Sequence, residues 1–278
     1  MKYSSKILFI LVIFYPILLL SSDLNNQPPK ENDRLHLFYQ DIQNSLQGTF
    51  HVFTNPVRWE QNDWFYFGST IAGGALLFSI DSDIDRIIKR NRNSSLDKLA
   101  NFGSFLGSPT TVITLTGVIY SYGILFKNEW ARETAIIFTS SLIAGGAIQT
   151  TSKKLAGRAR PYMNLGKSHF DPFPSTDDFH SFVSGHTLVS VSTALILAKR
   201  IDNIYAKTFF YTLGGIGAWA RMYQRNHFSS DVFLGTVLSF ATVSAAINWQ
   251  KSFRGKKENK VQYSINFSYQ KIMVNVYF

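Results

Sequence analysis

Apolar residues in this chain fall into blocks separated by short polar islands. After a first block at Ile7 to Leu20, six more run approximately from Trp64 to Ile80, Thr110 to Phe126, Thr134 to Thr150, His186 to Ala198, Thr208 to Ala220 and Val232 to Trp249. The blocks lack strict alternation and predict helices. Most are interrupted by Gly, Ser and Thr and fall short of the ~20 residues that a bilayer core requires. Val232 to Trp249 is the best spanning candidate. The pairs Gly73-Gly74 and Gly145-Gly146 permit close helix contact in a membrane or in a tight soluble bundle. The expected fold class is all-α: a helical bundle of about six core helices with the functional site at one end.

The flanks have other patterns. Lys2 and Lys6, the apolar run and Ser21-Ser22 have the order of a secretory signal over residues 1–22, basic, then apolar, then small. Export follows as an expectation, and no Cys follows the run to carry a lipid. Residues 23–63 read as a linker, marked by Pro28-Pro29, and then an interfacial segment. Trp59, Trp64, Phe65 and Tyr66 fit either a membrane interface or a packed core. The helical domain is expected over 64–250. In 251–278, Lys251 to Lys260 is a basic hinge, and the alternation up to Phe278 predicts a short C-terminal β-hairpin turning near Gln270-Lys271. Internal repeats and low-complexity segments are absent from the sequence.

Composition narrows the partners. The 278 residues carry a net charge of +10, with 17% charged, 45% hydrophobic and 15% aromatic. Such a charge suits anionic lipid, a phosphorylated substrate or nucleic acid. The basic residues are scattered among apolar blocks, without a dense stripe, so nucleic acid is not expected. Without Cys, the chain has no disulfide, thiolate metal site or cysteine nucleophile.

Five polar stretches hold candidate chemistry. Asp81, Asp83 and Asp85 begin like a calcium loop, but Arg86 and Arg92 stand where Gly and Glu are needed, so a solvated turn is expected there. Ser94 with Asp97 reads as a helix start. In Lys153-Lys154-Leu-Ala-Gly-Arg158-Ala-Arg160-Pro161, Lys153 and Arg160 are seven apart, which on a helix puts two cations on one side before Pro161 stops it. Ser184-Gly185-His186 opens an apolar segment, where helix N-terminal N–H groups and a hydroxyl suit an anion. In Ala220 to Asp231, His227 and Asp231 are four apart, so on a helix a carboxylate orients an imidazole, with the Arg221 cation nearby. Taken singly these clusters are equally a basic helix stop, a helix cap and a surface ion pair. His36, His51, His169 and His180 match no cluster, although His180 lies close to the second.

In order, the last three read Lys-x6-Arg-Pro, Ser-Gly-His and Arg-x5-His-x3-Asp. This resembles the type 2 phosphatidic acid phosphatase and vanadium haloperoxidase superfamily. The resemblance covers roughly Trp64 to Trp249, with Val183 and Ala220 departing from its usual Pro and Ser. It implies His227 as the nucleophile forming a phosphohistidine, Asp231 orienting it and His186 as general acid. It also implies Lys153, Arg160, Ser184, Gly185 and Arg221 as phosphate ligands. Fixed cations and N–H donors can stabilise the equatorial oxygens of a transferring phosphoryl group without a metal, so no cofactor and no metal site are expected.

The implied enzyme is a phosphatase acting on a phosphate or pyrophosphate monoester, with a phosphorylated lipid as the expected partner. The alternatives are a soluble exported acid phosphatase of broad specificity and, more distantly, a vanadate-dependent haloperoxidase. The expected place is a bacterial cell envelope, membrane-associated with the site facing the periplasm. A cleaved leader followed by three spanning segments would instead put the clusters on the cytoplasmic side. One short segment must then fail to span, or the leader is no export signal, or the bundle is soluble and periplasmic.

Overall fold

The computed structural model describes residues 34–258 and the backbone of 262–268 and 271–277. The expected leader at 1–22 lies outside the described residues. Two compact units divide after Gln40; of the first, 34–40 are described and are helical. The second begins at Asp41 and carries everything considered below.

Residues 34–258 form eight α-helices, with three short 3-10 helices between them. The α-helices are α1 (Arg34–Phe53), α2 (Gln61–Arg90), α3 (Ser94–Leu106), α4 (Pro109–Leu125), α5 (Glu129–Ala156), α6 (Gly185–Arg200), α7 (Ile204–Tyr223) and α8 (Ser229–Glu258). The all-α expectation holds for this region. Polar side chains set many of the starts. Asn93, Ser108, Asn128, Ser184 and Asn203 each accept a hydrogen bond from an N–H in the first turn of the helix that follows. The cap of α3 is therefore Asn93, one residue before the expected Ser94, and Asp97 pairs with Arg92.

The core lies between α4, α5, α6 and α8, where Val112, Ile137, Phe138, Leu195, Ile196 and Val243 are buried. A smaller cluster of Ala100, Ala220 and Tyr223 joins α3 to α7. The tightest helix approaches are not at the paired glycines. A Cβ on Gly103 would lie 2.7 Å from the Ile216 carbonyl oxygen, and one on Gly217 would lie 2.5 Å from Ser190 Cβ. Within the stretch read as linker and interfacial segment, α1 is anchored. Asp41 accepts two bonds from Arg132, and Asn44 joins Gln250 and Trp249.

The region Asp81 to Asp85 corrects the sequence reading. It is no solvated turn: α2 runs through it to Arg90, and Asp81 is fully buried. At helical spacing Asp81 and Asp85 share a face. Asp81 pairs with Arg158 and Asp85 with Arg225, while Asp83 meets only the exposed Arg86.

Apolar side chains also cover the outside of the bundle. Phe65, Ile71 and Leu76 on α2, and Ile113, Val118 and Leu125 on α4, are all more than half exposed. Among the described residues, α8 is the one helix long and apolar enough to cross a bilayer by itself, over Ser229–Arg254. The α3–α4 pair meets the same test if taken as one span, bent by 51°.

The end of α5 is where the fold turns toward the site. Gly157 adopts the left-handed conformation, with φ of 56°, and its N–H closes onto the Lys153 carbonyl. A Cβ here would lie 1.6 Å from the Asp171 carbonyl oxygen, which lies beside the Asp171 N–H bond to the Gly157 carbonyl. Gly157→Ala is expected to destabilise the protein by roughly 2 kcal/mol or more, from backbone strain plus this clash. A fall in the thermal unfolding midpoint of the purified protein checks this.

Candidate active site

The eight residues singled out in sequence come together at one end of the bundle, though not all by the expected route. Lys153 sits in the last turn of α5. Arg160 is not on that helix, because Gly157 ends it first. The chain leaves in an extended run, with Arg158 bridged to Phe170, and the Arg160 N–H bonds to the Asp178 carbonyl. The Arg160 side chain donates to the Asp177 carbonyl (2.9 Å) and to Asn226 Oδ1 (3.2 Å), beside His227. Arg221, on the last turn of α7, donates to Ser104 Oγ and Gln224 Oε1. Its Nε is buried without a protein acceptor, a donor well suited to an anion.

The segment before α6 supplies the next parts. Ser184 caps the helix, taking bonds from Thr187 N and Thr187 Oγ1 on its oxygen. This leaves the Ser184 hydroxyl hydrogen for another acceptor. Gln149 of α5 fixes the segment by donating to the Val183 carbonyl at 3.1 Å. His186 follows in the first turn of α6, half-buried.

His227 lies in the turn between α7 and α8, almost wholly buried. Its Nδ1 is 2.6 Å from the Ser181 carbonyl oxygen. A carbonyl can only accept, so Nδ1 carries the hydrogen, and in the neutral ring Nε2 keeps a free lone pair. The expectation that Asp231 orients the ring directly is corrected here. His227 precedes the first residue of α8, so the two do not stack on one helix face. Asp231 instead takes bonds from Arg158 Nη1 (2.6 Å), Ser181 Oγ (2.6 Å) and Phe228 N (2.9 Å). Its hold on the imidazole is indirect, through the two residues that frame it.

Electrostatics tie the set together. Burial, then the cations Arg221, Lys153 and Arg160, lower the His186 pKa to about 4. Burial and the same three cations hold His227 well below the ordinary histidine range, against a smaller opposing effect of its bond to Ser181. Both imidazoles are therefore neutral near pH 7. Lys153 is pushed down to about 8, first by burial and then by Arg160 and Arg221. Arg221 is lowered to about 10 by burial and by Arg160. Three crowded cations gain by sharing an anion, and they lie close to a ring nitrogen with a free lone pair.

Three functional neighbours escaped the sequence reading: Arg158, Asp81 and Ser181. Arg158 stood inside a quoted cluster but looked like one more basic residue, and nothing local marked Ser181. A carboxylate directly after an apolar block was the one visible signal for Asp81. Of the remaining histidines, His180 pairs with Asp177 at 2.9 Å, and its Nε2 is buried without a protein partner. His51 packs on Trp249 and His169 lies against Phe179.

Residues 134–254 match the PAP2 superfamily profile, a stretch containing all eight site residues. The match agrees with the resemblance that the three clusters carry. Two solved structures are similar in backbone. One is LpxE from Aquifex aeolicus, with TM-score 0.48 and 18% identity over 60% of this chain and 93% of that one. The other is the transmembrane PAP2 type phosphatidylglycerolphosphate phosphatase from Bacillus subtilis, with TM-score 0.47 and 16% identity over 69% and 97%. No curated protein matches the chain. The superfamily match supports a hydrolase acting on phosphate esters.

The lowered Lys153 pKa gives a sign for pH dependence. Lys153 is charged below about 8 and neutral above it, so anion binding is complete at lower pH and weakens as pH rises through that value. Inorganic phosphate titrated calorimetrically into the protein should bind severalfold more weakly at pH 9.5 than at pH 7, after allowance for its own ionisation. Lys153→Arg should flatten the difference, because a guanidinium stays charged.

Proposed function

We propose that this protein is a phosphatase that hydrolyses a phosphate or pyrophosphate monoester carried on a lipid, through a phosphohistidine at His227. The observation that carries the reading is the geometry around His227. Its Nδ1–H is committed to the Ser181 carbonyl, and its free Nε2 shares a pocket with Lys153, Arg160 and Arg221. Nε2 attacks phosphorus, the P–O bond to the leaving group breaks, and His186 delivers a proton to the departing oxygen. His186 must first gain that proton. A bound phosphate dianion offsets the three cations that keep it neutral, and so raises its affinity for one. Water then attacks the phosphohistidine, His186 takes a proton from it, and phosphate leaves with His227 restored. The three side-chain cations, the Ser184 hydroxyl and the Gly185 N–H take the oxygen charge, so that no step requires a metal.

The lipid substrate is supported by the exposed apolar faces of α2 and α4 and by the apolar length of α8. A soluble exported phosphatase is the second reading. It is favoured by a mean hydropathy of −0.01 and by α8 being half buried within the bundle. The organisation proposed is a leader at 1–22, a connecting segment to 63, the phosphatase region at 64–250 and a tail from 251. The tail is proposed to form a short hairpin with no part in the chemistry. The site is proposed to face the periplasm.

His227→Ala should lower kcat by about 10⁴-fold or more, as expected for losing a nucleophile, with the unfolding midpoint preserved. Phosphate release from a phosphatidic acid in mixed micelles, compared with a water-soluble phosphomonoester, separates the two readings. Turnover that persists in chelator, vanadate inhibition and a phosphate label on His227 after acid-free quenching are expected; ordinary turnover by His227→Ala would refute the mechanism. For sidedness, the Cys-free chain allows a single Cys at Phe173, an exposed loop position. In cells with an intact inner membrane this Cys should react with an impermeant maleimide; labelling only after that membrane is breached would place the site in the cytoplasm.

A further inference from the structure

Among the described residues, Asp81 is the one buried carboxylate near the site that comes from outside residues 134–254. One oxygen accepts from Ser229 Oγ (2.6 Å) and Ser230 N (2.9 Å), and the other from Ser230 Oγ and Arg158 Nη2 (2.8 Å). Arg158 is itself buried, 1% exposed. Its Nη1 donates to Asp231 Oδ1 (2.6 Å) and Ser230 Oγ (2.9 Å), and its Nε to the Lys167 carbonyl (3.0 Å). Aromatic rings hold the guanidinium, Phe228 at 4.3 Å and Phe78 at 4.8 Å. Four of the five N–H groups of this fork thus donate a hydrogen bond while rings cover the guanidinium faces, which a lysine in the same place would not reproduce.

Stability alone gives little reason for the arrangement. Removing two carboxylates and a guanidinium from water is costly, and apolar residues of similar volume commonly stabilise as well or better. What such a network provides is geometry, and its geometry leads to the nucleophile. From Arg158 the bonds pass to Asp231. Asp231 passes them to Ser181 Oγ and to the Phe228 N–H, and the Ser181 carbonyl holds His227 Nδ1. Arg158 reaches Ser181 by a second route, since its carbonyl accepts from the Ser181 N–H at 3.0 Å. Neither Asp81 nor Arg158 has a hydrogen bond to an imidazole.

We propose that Asp81 and Arg158 are positioning residues for the reaction at His227. They fix Asp231, which sets the Ser181 carbonyl and the Phe228 backbone on either side of the ring. Errors of an ångström in aligning a nucleophile cost about 10²-fold in rate, and the anion-binding cations are not part of this network. The defect on breaking it therefore falls on kcat and spares KM.

This inference rests on the phosphatase reading above, and the test separates the two. Full-length wild type, Asp81→Asn, Arg158→Lys and the double variant Asp81→Asn/Arg158→Gln are assayed on a short-chain phosphatidic acid, with vanadate inhibition and thermal melting measured on each. Asp81→Asn and Arg158→Lys are expected to lose about 10² in kcat with KM within about twofold, and to bind vanadate more weakly in step with kcat. The double variant removes two of the three charges and leaves Asp231 without its cation, so its kcat should fall at least as far as that of either single variant. Where Asp81→Asn does not fold, Arg158→Lys, which keeps the charge and changes only the fork, decides the matter. Unchanged kcat in a folded variant overturns the positioning role. Wild type inactive on every phosphomonoester overturns the proposed function, and this inference with it.

Discussion

The hydrogen bond from His227 Nδ1 to the Ser181 carbonyl is the contact on which the rest of the site depends. An imidazole beside three cations is kept neutral, and a neutral imidazole is a nucleophile only at the nitrogen without hydrogen. The carbonyl decides which nitrogen that is. A carboxylate in the same place would also choose the tautomer but would favour the charged ring. A neutral acceptor chooses it while leaving the ring neutral, as the proposed attack needs. The negative charge of Asp231 stands one residue further out, where it is matched by Arg158.

The bundle supplies this contact by ending helices at one place. The end of α5 gives Lys153, the end of α7 gives Arg221, and the start of α6 gives Ser184 to His186. Only irregular backbone carries Arg160, Ser181 and His227, and it needs more fastening for that reason. The 157–184 stretch is tied to α5 through Gly157 and Gln149, to the α7–α8 turn through Tyr162 and to the first turn of α8 through Ser184. From the other side, α2 holds Arg158 and the start of α8 by Asp81 and the turn by Asp85, one helical turn apart on one face. Polar grip of this kind inside a bundle with an apolar exterior keeps a loop in register without adding hydrophobic surface to it.

Much of the site was legible because it lies in three short segments, each with its own spacing and each beside an apolar block. Such patterns survive without knowledge of the fold, since they are set by what an anion needs from cations, hydroxyls and N–H groups. What failed were inferences that extended a helix through a polar segment. Arg160 was placed on α5 by counting from Lys153, but Gly157, free to adopt a positive φ, stops the helix between them. Asp231 was set beside His227 by the same count, although α8 begins after the histidine. Asp81 was assigned to water because a carboxylate without a visible partner is ordinarily solvated; its partners lie 77, 148 and 149 residues away in sequence.

The sequence by itself determined the helical class and the apolar blocks, which follow from local periodicity; the two imidazoles and the cations near them were singled out by the resemblance of the three clusters to a known signature. Only the tertiary structure decided which group holds His227, why Arg158 is an arginine, and that α2 takes part at all. Each of these is a contact between segments far apart in the chain, and a buried charge reveals its role only when its partner is in place.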